Sequence, residues 1–173
     1  MKIIFENKEE LHIELPCGKI TKISAIDKKF IDIFPSWRFS GGYVRCSRYI
    51  KTKYSSVKED LFLHRLIMGI VKGFEIDHAN RDKLDNKREN LRRASRGENT
   101  HNKNKSKNTT SKYRGVCYRP KINKKNPWIA YVSKNKKVNY LGYFNSENEA
   151  AEIYNKKAKE LWGDFAYQNI ISD

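Results

Sequence analysis

No apolar run in this sequence approaches the ~20 residues that a membrane span needs. Nor is there a signal-peptide pattern, because Met1-Lys2-Ile3-Ile4-Phe5 reaches Glu6 before an apolar stretch can develop. The chain is therefore expected to be soluble and not secreted. Cysteine is scarce: Cys17, Cys46 and Cys117 lie far apart and form no C-x-x-C pair. That spacing argues against a thiolate zinc site and gives no disulfide framework, so free thiols are expected. Acidic residues are also short, 20 against 36 Lys and Arg, for a net charge of +16. A charge of that size makes a polyanion the default partner. A membrane surface would require a basic amphipathic helix with a broad apolar face, and the sequence has none. Nucleic acid is left as the expected polyanion.

What is present fits one domain or two small ones, since 173 residues with 38% apolar side chains can bury only a modest core. The charge is uneven. From Arg92 to Lys125 the only acidic residue is Glu98, while twelve positions are Lys or Arg. Within this stretch, residues 100–112 have no apolar side chain and no period. They read either as a solvated linker or as an arm that lies along a phosphate backbone, with Lys103, Lys105, Lys107 and Lys112 as its cations. Before the arm, residues 1–60 read as short strands and turns, with Gly41-Gly42 as one turn. A helix follows on Leu63, Leu66, Ile67 and Ile70, stopping near Gly73.

After the arm the pattern is that of a three-stranded antiparallel sheet and one helix. Strands are expected over 113–119, 128–133 and 138–144. Ser146 and Glu149 make a capping box, Ala150, Tyr154, Ala158 and Leu161 an apolar stripe, and Gly163 a stop. One face of the sheet would be covered by this helix. The other would carry Arg114, Arg119, Tyr131, Ser133 and Tyr140, a cationic and partly aromatic face narrow enough for a DNA major groove. Tyr113-Arg114-Gly115-Val116, Trp128-x-Ala130, Tyr140-Leu141-Gly142-Tyr143-Phe144, Glu149-Ala150-Ala151 and Gly163-Asp164-Phe165-Ala166, with Asn169, resemble the plant ethylene-response-factor (AP-two) DNA-binding domain. The resemblance implies that the sheet docks in the major groove and that Arg114 and Arg119 contact DNA. Tyr140 stands where the plant domains carry tryptophan. Cys117, Tyr131, Ser133 and Val138 replace mostly charged contact residues, so the plant sequence preference does not carry over.

The chemistry is expected between Glu75 and Asn99. The pattern is strand over Ile76–His78, polar loop, strand over Asn90–Arg92, then a helix started by the Ser95/Glu98 box and carrying Asn99. Asp and Asn oxygens suit a hard divalent cation such as magnesium, and a neutral His beside it can take a proton from water. Ordinary Asx-rich turn chemistry is the competing reading of the same residues. Leu63-His64-Arg65-Leu66-Ile67, Asp77-His78, Asn86, Asn90-Leu91-Arg92 and Asn99 are similar to HNH endonucleases of the phage and bacterial homing type, which carry a ββα-metal fold. The resemblance implies that Asp77 and Asn99 hold a metal, Mg2+ or another divalent cation such as Mn2+. It makes His78 the general base and Asn90 the residue that positions it. Arg92, Arg93 and Arg96 would clamp DNA near the scissile phosphate, and His64 reads as structural.

The expected fold class is α+β: a ββα-metal nuclease module with an N-terminal β-rich segment, plus a three-stranded antiparallel sheet packed on one helix. The expected domains are 1–100 (β-rich lead-in 1–60, ββα core 61–104), a basic linker over 101–112, and a DNA-binding domain over 113–173. The expected activity is site-specific, metal-dependent hydrolysis of double-stranded DNA, with no membrane or protein partner, in the cytoplasm of a bacterial or phage-infected cell. A DNA-binding regulator that does not cut is the alternative.

Overall fold

The computed structural model describes residues 1–103, 105, 109–134 and 137–172. They fall into two compact units, Met1–Arg96 and Gly97–Asp173. Among the described residues, no helix is long and apolar enough to cross a membrane.

The first unit opens with β1 (Lys2–Glu6), β2 (Glu10–Glu14) and β3 (Ile20–Ser24), an antiparallel meander. Period-two alternation decides its inner face: Leu11 and Ile13 on β2, Thr21 and Ile23 on β3 are fully buried. A short helix, α1 (Lys28–Ile33), follows. It departs from the strands and turns expected for residues 1–60, because six residues are too few to show a helical period. Next come β4 (Arg38–Ser40), β5 (Tyr43–Lys51) and β6 (Ser56–Phe62), a second antiparallel sheet. Gly41 and Gly42, at φ +61° and +81°, make the tight turn between β4 and β5, both in the region that side chains with a Cβ resist.

Then come α2 (Leu63–Met68), β7 (Glu75–His78), β8 (Asp85–Asn86), β9 (Leu91–Ala94) and α3 (Arg96–His101). Helix α2 is shorter than its apolar spacing suggests. Gly69 at φ +73° ends it, and Ile70 is 83% exposed instead of joining the stripe. Strands β7 and β9 pair antiparallel, with Asp77 opposite Arg92 and His78 opposite Leu91. The two residues of β8 join β3 in parallel, Asn86 opposite Ile23. One core of Leu11, Ile13, Ile23, Trp37, Val44, Leu63, Ile67 and Leu91, among others, binds these pieces together. Asp27 is also fully buried, held bidentately by Arg88 at 2.8 and 2.7 Å, which fixes the loop before β9 to the turn before α1.

The second unit holds β10 (Val116–Tyr118), β11 (Trp128–Lys134), β12 (Lys137–Phe144) and α4 (Glu147–Trp162). The order is β10-β11-β12, antiparallel throughout, with α4 packed on the sheet. Ser146 caps α4 by accepting from the Glu149 amide at 3.1 Å, worth about 1 kcal/mol. Gly115 has two reasons to be glycine. Its φ is +72°, and a Cβ there would lie 2.0 Å from the Tyr154 ring. Asn169 accepts from the Arg114 amide at 2.8 Å and donates to the Arg114 carbonyl at 3.1 Å, tying the C-terminal segment to the lead into β10. Cys17, Cys46 and Cys117 are free thiols.

Candidate active site and nucleic-acid interface

Asp77 and His78 end β7 and are 7% and 4% exposed. Burying a carboxylate requires a partner. Arg92, directly across the strand pair, donates from Nε at 2.9 Å and from Nη2 at 2.8 Å, both to Asp77 Oδ2. Arg92, expected as a DNA clamp, is thus engaged with the expected metal ligand.

His78 sits in a hydrogen-bonded frame that sets its tautomer. Its Nε2 lies 3.3 Å from Asn86 Oδ1. The Asn86 amide nitrogen is turned the other way, donating to Thr21 Oγ1 at 3.0 Å and lying 3.3 and 3.4 Å from the Lys83 and Leu84 carbonyls. Thr21 in turn donates to the Leu84 carbonyl at 2.7 Å. The Asn86 oxygen can only accept, so across this contact Nε2 carries the hydrogen in neutral His78 and Nδ1 the lone pair. Burial pushes the His78 pKa below its ordinary value, against the opposing pull of Asn86 and Asp77.

The resemblance assigns the positioning of His78 to Asn90, but the structure gives the contact to Asn86. Asn90 accepts from the Asn80 amide at 2.9 Å and donates to the Asp85 carbonyl at 2.7 Å, while its own carbonyl accepts from Ala79 at 2.8 Å. Asn90 therefore holds the loop that follows His78, and Asn86 holds the ring. The contacts of Thr21 and Asn86 were missed in the sequence. Asn86 stood in the quoted motif without a role, and nothing local links Thr21 to a residue 65 positions away.

His64 is at the site as well. Its ring lies 5.2 Å from His78 and 5.1 Å from Tyr43, with Phe62 at 5.8 Å. It is 4% exposed, its Nδ1 has no hydrogen-bond partner among the described residues, and burial pushes its pKa down to about 3. A ring held neutral in this way packs against His78 without adding a charge beside it.

Asn99 lies on α3, half-buried, within the second unit. Among the described residues no group of three or more His, Cys, Asp and Glu could hold a metal ion. Asp77 and Asn99 carry carboxylate and carboxamide oxygens, hard donors of the kind that divalent cations accept.

Of the other expected DNA contacts in the first unit, Arg93 is exposed and donates to the Met68 carbonyl at the end of α2 at 3.2 Å, and Arg96 is exposed. In the second unit, Lys103 and Lys112 are exposed, and Lys105 donates to Thr109 Oγ1 at 2.7 Å. Lys107 lies outside the described residues. Arg114 does not face away from the fold. Its guanidinium donates to the carbonyls of Thr100, His101 and Lys103, closing the end of α3, and stands 5.4 Å from the Tyr167 ring centre. His101 stacks on Trp162 at 4.3 Å in the same unit. On the sheet, Tyr131 faces Tyr140 across the ladder and Ser133 faces Val138, so these four share the face away from α4. Tyr140 is 72% exposed, and Ser133 and Arg119 are exposed. Ile129, on the same face, is buried at 3% in register with Cys117 and Tyr143, so part of that face is closed.

Comparison with known proteins agrees with this geometry. Residues 62–101, from the end of β6 through α3, match the family described as HNH endonuclease. The chain is 36% identical over 115 residues to an uncharacterized HNH endonuclease of Acanthamoeba polyphaga mimivirus, an alignment covering 63% of this chain and 57% of that protein. The chain thus spans little more than half the length of this relative. No solved structure matches. Residues 62–101 are thus similar to a family of nucleases that hydrolyse phosphodiester bonds.

Proposed function

We propose that the chain is a divalent-metal-dependent endonuclease that hydrolyses phosphodiester bonds in double-stranded DNA, with the site specificity of a homing enzyme. The observation that carries the reading is His78. It is a buried, neutral imidazole whose Nε2 is tied to Asn86, one residue from a nearly buried carboxylate, inside the segment that matches the HNH family.

In this reading His78 Nδ1 takes the proton from the attacking water, and Asn86 keeps the opposite nitrogen protonated so that Nδ1 stays basic. Asn90 keeps His78 in place through the loop backbone. Asp77 and Asn99 are the residues that would hold Mg2+ or Mn2+, and such an ion supplies stabilisation of the leaving oxygen and of the charge added to the phosphate. Arg92 balances Asp77 when no cation shares it, and with Arg93 and Arg96 lies close in sequence to the scissile strand's ligands. The C-terminal sheet resembles the ethylene-response-factor domain and would dock in a major groove through Tyr131, Ser133, Tyr140 and Arg119, with Lys103, Lys105, Lys107 and Lys112 along the backbone.

A catalytically silent DNA-binding regulator has one observation in its favour, the Arg92 donors that already satisfy Asp77 Oδ2. Incubation with supercoiled plasmid separates the two. The nuclease reading expects nicked or linear DNA with magnesium and none after a chelator. Bound but intact plasmid under every metal condition is the regulator's result.

A further inference from the structure

The β5–β6 hairpin extends past the core that holds its base. Val44 and Cys46 near the start of β5 are buried, yet every residue from 48 to 58 is exposed. Strand pairing continues through this stretch regardless, from Arg48 opposite Glu59 to Lys51 opposite Ser56. The turn is closed by the Thr52 amide donating to the Ser55 carbonyl at 2.7 Å and the Ser55 amide donating to Thr52 Oγ1 at 3.0 Å. The result is an ordered two-stranded ribbon with solvent on both faces.

Its chemistry is sorted by face and by position. Tyr49, Lys58, Lys51 and Ser56 lie on one face, and Ile50 and Val57 are paired on the other. Tyr49 is 68% exposed and Tyr54, in the turn, 87%. The acidic groups are confined to the base, where Glu59 pairs with Arg48 and Asp60 with Arg45 and Arg38. From 48 to 58 there is no acidic residue, and Lys51, Lys53 and Lys58 make no ion pair among the described residues.

We propose that this hairpin is a second DNA-binding element, entering a groove of the duplex with Lys51, Lys53 and Lys58 on the phosphates and Tyr49 and Tyr54 against the groove interior. The inference rests on the DNA reading above and adds a contact surface that the sequence did not single out. Charge selects the partner, because a cationic tip on a chain of net charge +16 is complementary to a polyanion. Shape agrees, since the major groove, about 12 Å wide, admits a two-stranded β-ribbon. A groove also has two walls, which accounts for a ribbon left uncovered on both sides.

The test uses the full chain with a random-sequence duplex several helical turns long, in chelator so that no cleavage intervenes. Affinity is followed against salt for the parent and for the Lys51→Ser, Lys53→Ser double variant, whose side chains lie clear of the core. The double variant is expected to bind about tenfold or more weakly at moderate salt, with the log–log salt slope reduced by about 0.9 per lysine removed. Ultraviolet cross-linking of the unaltered chain to a bromouracil-substituted duplex is expected to mark a peptide containing Tyr49 or Tyr54. A variant with the parent's affinity and slope, or cross-links confined to other peptides, overturns the proposal and leaves the nuclease reading standing. A parent that binds no duplex overturns both. A parent that sediments as a dimer while the variant sediments as a monomer overturns it in favour of self-association.

Discussion

At the scale of the residue, the site depends on which nitrogen of His78 holds a proton. The Thr21–Asn86–His78 chain answers that by hydrogen bonding alone, and each link is buried. Asn86→Ala removes the acceptor that holds Nε2–H. By analogy with supporting partners of other metal sites, the cleavage rate is expected to fall about 10–100-fold with DNA affinity unchanged. A single-turnover assay beside a gel shift checks both. The pH profile follows from burial. The proposed base His78 acts when neutral, so the rate is expected to fall as pH drops through its pKa. Burial has lowered that pKa, placing the acid limb below the usual histidine value of 6.5. Asn86 is among the groups that raise it, so Asn86→Ala should move the limb to still lower pH. Asp77, His78 and Asn99 stand in a pattern that is local in the chain and so could be quoted from sequence. The Thr21–Asn86 contact could not, because it depends on β8 joining β3, a pairing between segments about sixty residues apart.

At the scale of the element, the C-terminal sheet and helix were the most legible part. Alternation on β11, the Ser146 cap and the alanine stripe of α4 are short-range signals, and the structure has all three. Helices α1 and α2 show the opposite. One is too brief to have a visible period, and the other is cut by Gly69 before its apolar spacing is complete. Arg114 was read as a DNA contact from its expected place on the open sheet face and from the resemblance; its guanidinium donates instead to carbonyls at the end of α3. Arg114→Ala is therefore expected to destabilise the second unit by about 1.5–3 kcal/mol, the range for hydrogen bonds to a charged group. Thermal unfolding of the full chain checks this. Weakened specific DNA binding at unchanged stability would instead assign Arg114 to the DNA interface.

At the scale of the whole molecule, composition spoke early. A net charge of +16 pointed to a polyanion before a motif was read. The buried histidines add a cost that composition cannot show. His64 resists protonation down to about pH 3, whereas in the unfolded chain it protonates near 6.5. Its folded pKa is depressed, so its contribution to stability is present above 6.5 and is lost as pH falls toward 3. The slope is about 1.4 kcal/mol per pH unit while the unfolded chain binds the extra proton. Urea unfolding from neutral pH to pH 5, above the carboxylate range, is expected to show this loss, and His64→Phe should flatten it. The central claim is that His78 is the base of a phosphodiester hydrolysis, and the most direct measurement is plasmid cleavage by His78→Ala in magnesium, beside the parent at matched DNA occupancy. The account predicts that the variant binds as the parent does and leaves the plasmid supercoiled. Cleavage at the parent's rate would contradict it.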